Sequence, residues 1–223
     1  MKYSNASKIF KDVSNTRVML VMIIPGNGNA YMTEIWYPYV KRELEQLGFD
    51  VIAKRMPDPI IAHIDIWLPF IKEQTQDSED VILIGHSSGA IAIMRYLETH
   101  KVKGAVLIGA YHTDLDNELE QKSGYFDKPW DWEAIKKNAG WIIQFASLDD
   151  PFIPIEEARF VVSDKGDILS PKKAPETIAP AVILMDSPIA SPIPISATPM
   201  VAAVVNELPI TMPLKEVSKK AIA

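Results

Sequence analysis

DVILIGHSSGAIAIMRYLE, residues 80–98, holds the transition on which the fold turns. An apolar run stops at Gly85, two serines sit between Gly85 and Gly89, and apolar residues then recur at helical spacing. The pattern predicts a buried strand over 80–84 and a helix over 87–99. Gly85-His86-Ser87-Ser88-Gly89 matches G-x-S-x-G, and the reason for that pattern is steric. A serine held in a strained strand-to-helix turn needs small residues two before and two after it, so that the chains pass closely. Ser87 then projects its Oγ at the sheet edge as a nucleophile, the Ser88 backbone amide faces a developing oxyanion, and the helix N-terminus favours negative charge there. The plainer alternative is a glycine-flanked turn with Ser87 as a helix N-cap.

Outward from this stretch, short apolar runs alternate with amphipathic segments. Strands are expected over 17–24, 49–53, 102–108 and 141–146, and helices over 31–47, 64–73, 130–138 and 155–162. Continuously apolar strands between helices imply an α/β fold in three layers around a mostly parallel sheet. Ligands bind at the carboxyl ends of such strands. The loops at 25–28, 85–87, 110–112 and 148–150 all follow expected strands and should meet on that edge.

The whole-chain properties narrow the classes. A length of 223 residues suits one sizeable domain. A net charge of −6 argues against a nucleic-acid binder, which needs a basic face. The absence of cysteine excludes disulfides and thiol catalysis and fits a reducing compartment. No apolar run reaches the roughly 18 residues of a membrane span, and the N-terminus lacks a signal-peptide core. A soluble, cytoplasmic protein without metal or cofactor is expected.

Two further loops carry chemistry. Pro25-Gly26-Asn27-Gly28-Asn29 follows the first strand, and the amide of Asn27 or Gly28 is the candidate second oxyanion donor. Pro-Gly and Asn-Gly are also ordinary turn dipeptides. Asp149-Asp150-Pro151 follows IIQFASL, where an aspartate holds a histidine in its working tautomer; an Asp-Pro turn is the alternative. Trp67 and Trp130 are candidates for an acyl pocket, with core packing the stronger expectation. The acidic run from Asp114 to Glu120 reads as a solvated loop rather than a calcium site, since EF-hand spacing and its glycine are missing.

Residues from about 18 to 162 resemble the retinoblastoma-binding protein 9 family of small serine hydrolases. The segments that carry the resemblance are PGNG (25–28), WYPYVKRELE (36–45), AKRMPDP (53–59), IWLPFI (66–71), IGHSSGAIAIMRYLETH (84–100), SGYFDKPWDWEAIK (123–136) and QFASLDDPFIP (144–154). The resemblance implies a compact α/β-hydrolase acting on small esters or amides, with Ser87 as nucleophile and Asp150 as acid. The family name does not bring retinoblastoma-protein binding with it, because L-x-C-x-E is impossible without cysteine.

Family members carry the catalytic histidine after the last strand, in a GHF-like segment downstream of DDPF. Here the histidines are His63, His86, His100 and His112, and all precede Asp150. His86 is the x of the elbow, His63 is placed on a helix away from the edge, and His100 ends the elbow helix on the opposite side. His112 follows a strand near the correct edge and is the weak surrogate for the unassigned base. The departure coincides with proline: nine of 17 prolines fall within 171–213. We therefore expect a hydrolase body over 17–162 and a divergent, proline-rich, weakly ordered tail over 163–223. Alternative splicing, a frameshift or a gene-model error would produce that join. Within the tail, 182–185 suits a short strand, 200–208 and 215–221 suit short helices, and 187–199 suits polyproline II.

Overall fold

The computed structural model describes residues 18–148 and 150–162, and the backbone of a strand at Val182–Met185. Five strands precede that one: β1 (Leu20–Ile24), β2 (Asp50–Ile52), β3 (Val81–His86), β4 (Gly104–Ile108) and β5 (Ile142–Ser147), with β6 at Val182–Met185. The helices are α1 (Tyr37–Gln46), α2 (Ile64–Thr75), α3 (Ser88–Leu97), α4 (Glu118–Ser123), α5 (Trp132–Asn138) and α6 (Ile155–Val162). All pairings in the sheet are parallel, in the order β2-β1-β3-β4-β5-β6.

That order explains the layers. Parallel crossovers are right-handed, so the direction in which the chain advances selects the face its helix covers. Among the described elements, only β1 to β2 advances one way, and α1 is the described helix that packs there: Trp36, Tyr37, Val40 and Leu44 join Val21, Ile23, Ile82 and Ile84. The later crossovers advance the other way, and Trp67, Ile71, Ala90 to Leu97, Ile135 and Val161 cover Met22, Ile24, Leu83 and Leu107. Alternate residues of β1 thus feed opposite cores, as the strand period of two requires. The reversal falls between β1 and β3, which makes their carboxyl ends the switch point where α/β sheets bind ligands.

Several boundaries move from the sequence reading, each for a local reason. The helix expected from residue 31 begins at Tyr37, because Pro38 sits in its first turn and Ile35 has φ 43°. Helix α2 runs through Pro69 from Ile64. The strand expected at 182–185 is β6, paired with β5 from Gln144↔Val182 to Ser147↔Met185, so the sheet takes its last strand from beyond residue 162. The segments expected at 187–199, 200–208 and 215–221 lie outside the described residues. The acidic run corrects the loop expectation most: Asn117 caps α4 by accepting from Leu119 N, and Gly124 ends it at φ 82°.

The close approach that G-x-S-x-G requires is present. A Cβ on Gly85 would lie 2.5 Å from the Gly89 carbonyl oxygen. A Cβ on Gly89 would lie 2.4 Å from the Ile24 oxygen and 2.5 Å from that of Pro25. The two glycines therefore serve different contacts: the first lets α3 fold back past β3, and the second seats α3 on the end of β1. Gly89→Ala should lower stability by about 3 kcal/mol or more, since only backbone is there to yield. Gly28→Ala, in open space at φ 72°, should cost about 1 kcal/mol. Urea unfolding midpoints of the two variants check the ranking.

Candidate active site

Ser87 stands between β3 and α3 with φ 54° and ψ −125°, a conformation that L-residues adopt only where surrounding structure enforces it. Its amide donates to the Ile108 carbonyl on the neighbouring strand at 2.9 Å, and although it holds the N-cap position of α3, its side chain makes no capping bond. Ser87 is partly accessible, while Ser88 and the helix behind it are buried. Gly26 faces the serine from the β1 loop: a Cβ there would be 3.2 Å from Ser87 Cβ and 3.6 Å from its Oγ. Glycine keeps that side of the hydroxyl open.

The two donor positions suggested by sequence flank this opening. Ser88 begins α3, so its amide has no acceptor within the helix. On the β1 loop, Gly28 already donates to Ile60 O at 3.3 Å and Asn29 to Pro59 O at 2.8 Å. These bonds clamp the loop to residues 59–60 and leave Asn27 as the freer amide of the pair Asn27 and Gly28.

Asp150 lines a shallow recess with Gly109, Ala110, Ser147, Ile153 and Ala158, where β4 and β5 end. Its Oδ1 accepts from the amides of Phe152 at 2.9 Å and Ile153 at 3.1 Å, so it also performs the turn-starting role. Asp149 lies outside the described residues.

The histidines are engaged in distinct ways. Tyr37 connects the β1 loop to the elbow: its hydroxyl accepts from Gly26 N at 3.4 Å and is hydrogen-bonded to His86 Nδ1 at 2.7 Å. The His86 ring keeps a narrow exposed edge, yet burial pushes its pKa down to about 4, against a smaller upward pull from Asp150. It is a neutral strut. His112 is held by α6: Nδ1 lies 2.6 Å from Glu157 Oε2, off the line of an aligned hydrogen bond, and the ring stacks on Phe160 at 3.7 Å. Those ring contacts face α6. His100 stacks on Tyr96 at 4.2 Å, at the end of α3 remote from Ser87.

His63 is a correction. It was expected away from the edge, but it precedes α2, and a helix following a parallel strand begins at the strand's carboxyl end. It therefore shares the edge with Ser87, with Nδ1 2.6 Å from Asp58 Oδ2.

Sequence reasoning missed the residue beneath the site. Glu120 is 5% exposed, not solvated, and its Oε1 accepts from Asn27 Nδ2 at 2.7 Å and Ser88 Oγ at 3.1 Å. Burial raises its pKa, and the hydrogen bonds from its neighbours oppose that rise. The Ser88 hydroxyl also meets the Tyr111 hydroxyl at 3.1 Å. Burial and then the charge of Glu120 keep Tyr111 protonated well above the ordinary range. Asn117-x-x-Glu120 closed by Gly124 was the available helix signal. Trp67 and Trp130 are structural: Trp67 is fully buried and donates to Pro57 O, and Trp130 donates to His112 O beneath the Arg95 guanidinium.

The fold and this edge define an α/β-hydrolase. Residues 21–170 match the family model described as serine hydrolase, and the chain belongs to that family. It is 53% identical over 142 residues to serine hydrolase RBBP9 of Rattus norvegicus, covering 63% of this chain and 76% of that one. It is 28% identical over 139 residues to YdeN of Bacillus subtilis (strain 168), covering 60% and 72%. The crystal structure of the ydeN gene product superposes with TM-score 0.68 at 21% identity, covering 84% of this chain and 100% of that chain. Alpha/beta hydrolase domain-containing protein 10 from mouse gives 0.58 at 14% identity, covering 85% and 89%. No helix among the described residues is long and apolar enough to cross a membrane.

His86 makes the acid limb of the stability curve testable. The unfolded chain takes up this proton near pH 6.5 and the native state only near 4. Stability is therefore lost as pH falls through that window, by at most about 3 kcal/mol from this group. His86→Asn retains a hydrogen-bonding partner for Tyr37 but no titration, so its urea midpoint should fall less than the wild type's between pH 6.5 and 4.

Proposed function

We propose that the chain is a hydrolase of small esters or amides in which Ser87 attacks the carbonyl carbon. The observation that carries the reading is Ser87 itself, with φ 54° and its Oγ facing Gly26 at the switch point. The amides of Ser88 and of Asn27, or less readily Gly28, receive the oxyanion. Asp150 orients the imidazolium of a base. The substrate is a small molecule, and the reading requires neither metal nor cofactor. A hydrolase body over 17–162, whose sheet gains β6 from the divergent segment 163–223, in a cytoplasmic setting, is the accompanying assignment. The cysteine-free composition supports that setting.

The base is unassigned, and that observation favours a second reading. All histidines precede Asp150 in the sequence, and the ring of His112 is engaged by α6. Without a base the serine stays protonated, and turnover falls on the order of a million-fold while binding persists. The second reading is a non-catalytic pseudohydrolase that binds a ligand or protein through the same cleft or through its tail.

A fluorophosphonate probe separates the two. Covalent labelling of the wild-type chain that is abolished in Ser87→Ala supports the hydrolase. No labelling under conditions that fully label a serine hydrolase with an intact triad favours the binding module.

A further inference from the structure

We infer that Glu120 is the positioning residue of the oxyanion side of the site, tying Asn27 on the β1 loop to Ser88 at the start of α3. The inference rests on the reading above, in which the amides of those two residues receive the oxyanion. One carboxylate oxygen joins them: Asn27 Nδ2 donates at 2.7 Å and Ser88 Oγ at 3.1 Å. Tyr37 joins the same loops at Gly26 and His86, but Glu120 engages the two residues whose amides receive the oxyanion. The amides sit on the same residues as those side chains, so the bridge fixes their separation.

The chemistry suits that role. An ionised carboxylate accepts several donors and offers none, so it imposes one polarity on its neighbours. With Ser88 Oγ donating to Glu120, the serine's lone pair is left to accept from Tyr111. Burying a carboxylate is costly unless its donors are well placed, and here burial is nearly complete. A surface loop would have no reason to incur that cost.

The support of Glu120 also points back to the elbow. It lies on α4, a single short helix whose following segment is held by Arg95 of α3. Arg95 Nε donates to Tyr125 O at 2.7 Å, Nη2 to Lys128 O at 2.6 Å and Nη1 to Pro129 O at 3.1 Å. Its guanidinium carbon lies 3.6 Å from the Trp130 ring centroid. The helix that presents Ser88 thus also anchors the segment that supplies Glu120, and Asn27 is brought to both.

The test uses the full chain with Glu120→Ala and Glu120→Gln. Two quantities are read: hydrogen exchange of the Asn27 side-chain amide by NMR, and the rate at which a fluorophosphonate labels Ser87. Glu120→Ala should expose the Asn27 amide to faster exchange and slow labelling about ten- to a hundredfold, the scale of a displaced oxyanion donor. Glu120→Gln keeps an acceptor at Oε1 and should return both to within about threefold of wild type. Unchanged Asn27 exchange in Glu120→Ala overturns the inference, as does a Gln variant as impaired as Ala in both readouts. If the wild-type chain takes no label, the hydrolase reading fails, and the exchange measurement alone decides whether Glu120 ties the loops. If Glu120→Ala does not fold, Asn27→Ala cuts the same tie from the half-buried end. A labelling rate equal to wild type there also overturns the inference.

Discussion

The contact between Gly89 and the carbonyl oxygens that end β1 is the constraint on which the site depends. Helix α3 rests directly on backbone there, with no room for a side chain. Because the helix is that close, the turn from β3 cannot relax, and Ser87 is held at positive φ without being glycine. Close packing enforces a conformation that local preference opposes. The same contact brings the loop after β1 beside the serine, where Gly26 leaves its hydroxyl clear. Nucleophile and oxyanion loop therefore meet because of one backbone-to-backbone approach at the switch point of the sheet.

Around that contact the structure spends its buried polar groups on joining loops. Tyr37 links Gly26 to His86 on one side, and Glu120 links Asn27 to Ser88 on the other. The two links differ in charge. His86 is neutral because burial removes its proton, so it braces the elbow without adding charge beside it. Glu120 supplies the acceptor side through Oε1, which takes the donors of Asn27 and Ser88.

Much of this was legible in the chain. Continuous apolar runs ending at Gly85, Ile24 and Ser147 marked buried parallel strands, and the small residues around Ser87 announced a close crossing. Other features were not legible, for identifiable reasons. Glu120 sits among acidic residues that face water, and charge alone does not reveal which of them a short helix turns inward. His63 looked remote because its place depends on the direction of β2. The start of α1 was read six residues early, because residues 31–36 form turns and the helix begins only at Tyr37, with Pro38 in its first turn.

By itself, the sequence determined the alternation of strands and helices, the glycines that permit the crossing, and the position of every histidine before Asp150. These are properties of local pattern and chain order, and no folding is needed to read them. Only the tertiary structure decided which amide of the β1 loop is committed to Ile60, that His112 is engaged by α6, and that Glu120 lies beneath Ser88. Those outcomes depend on hydrogen bonds between segments as much as 93 residues apart, and their geometry exists only once the sheet has set the strands side by side.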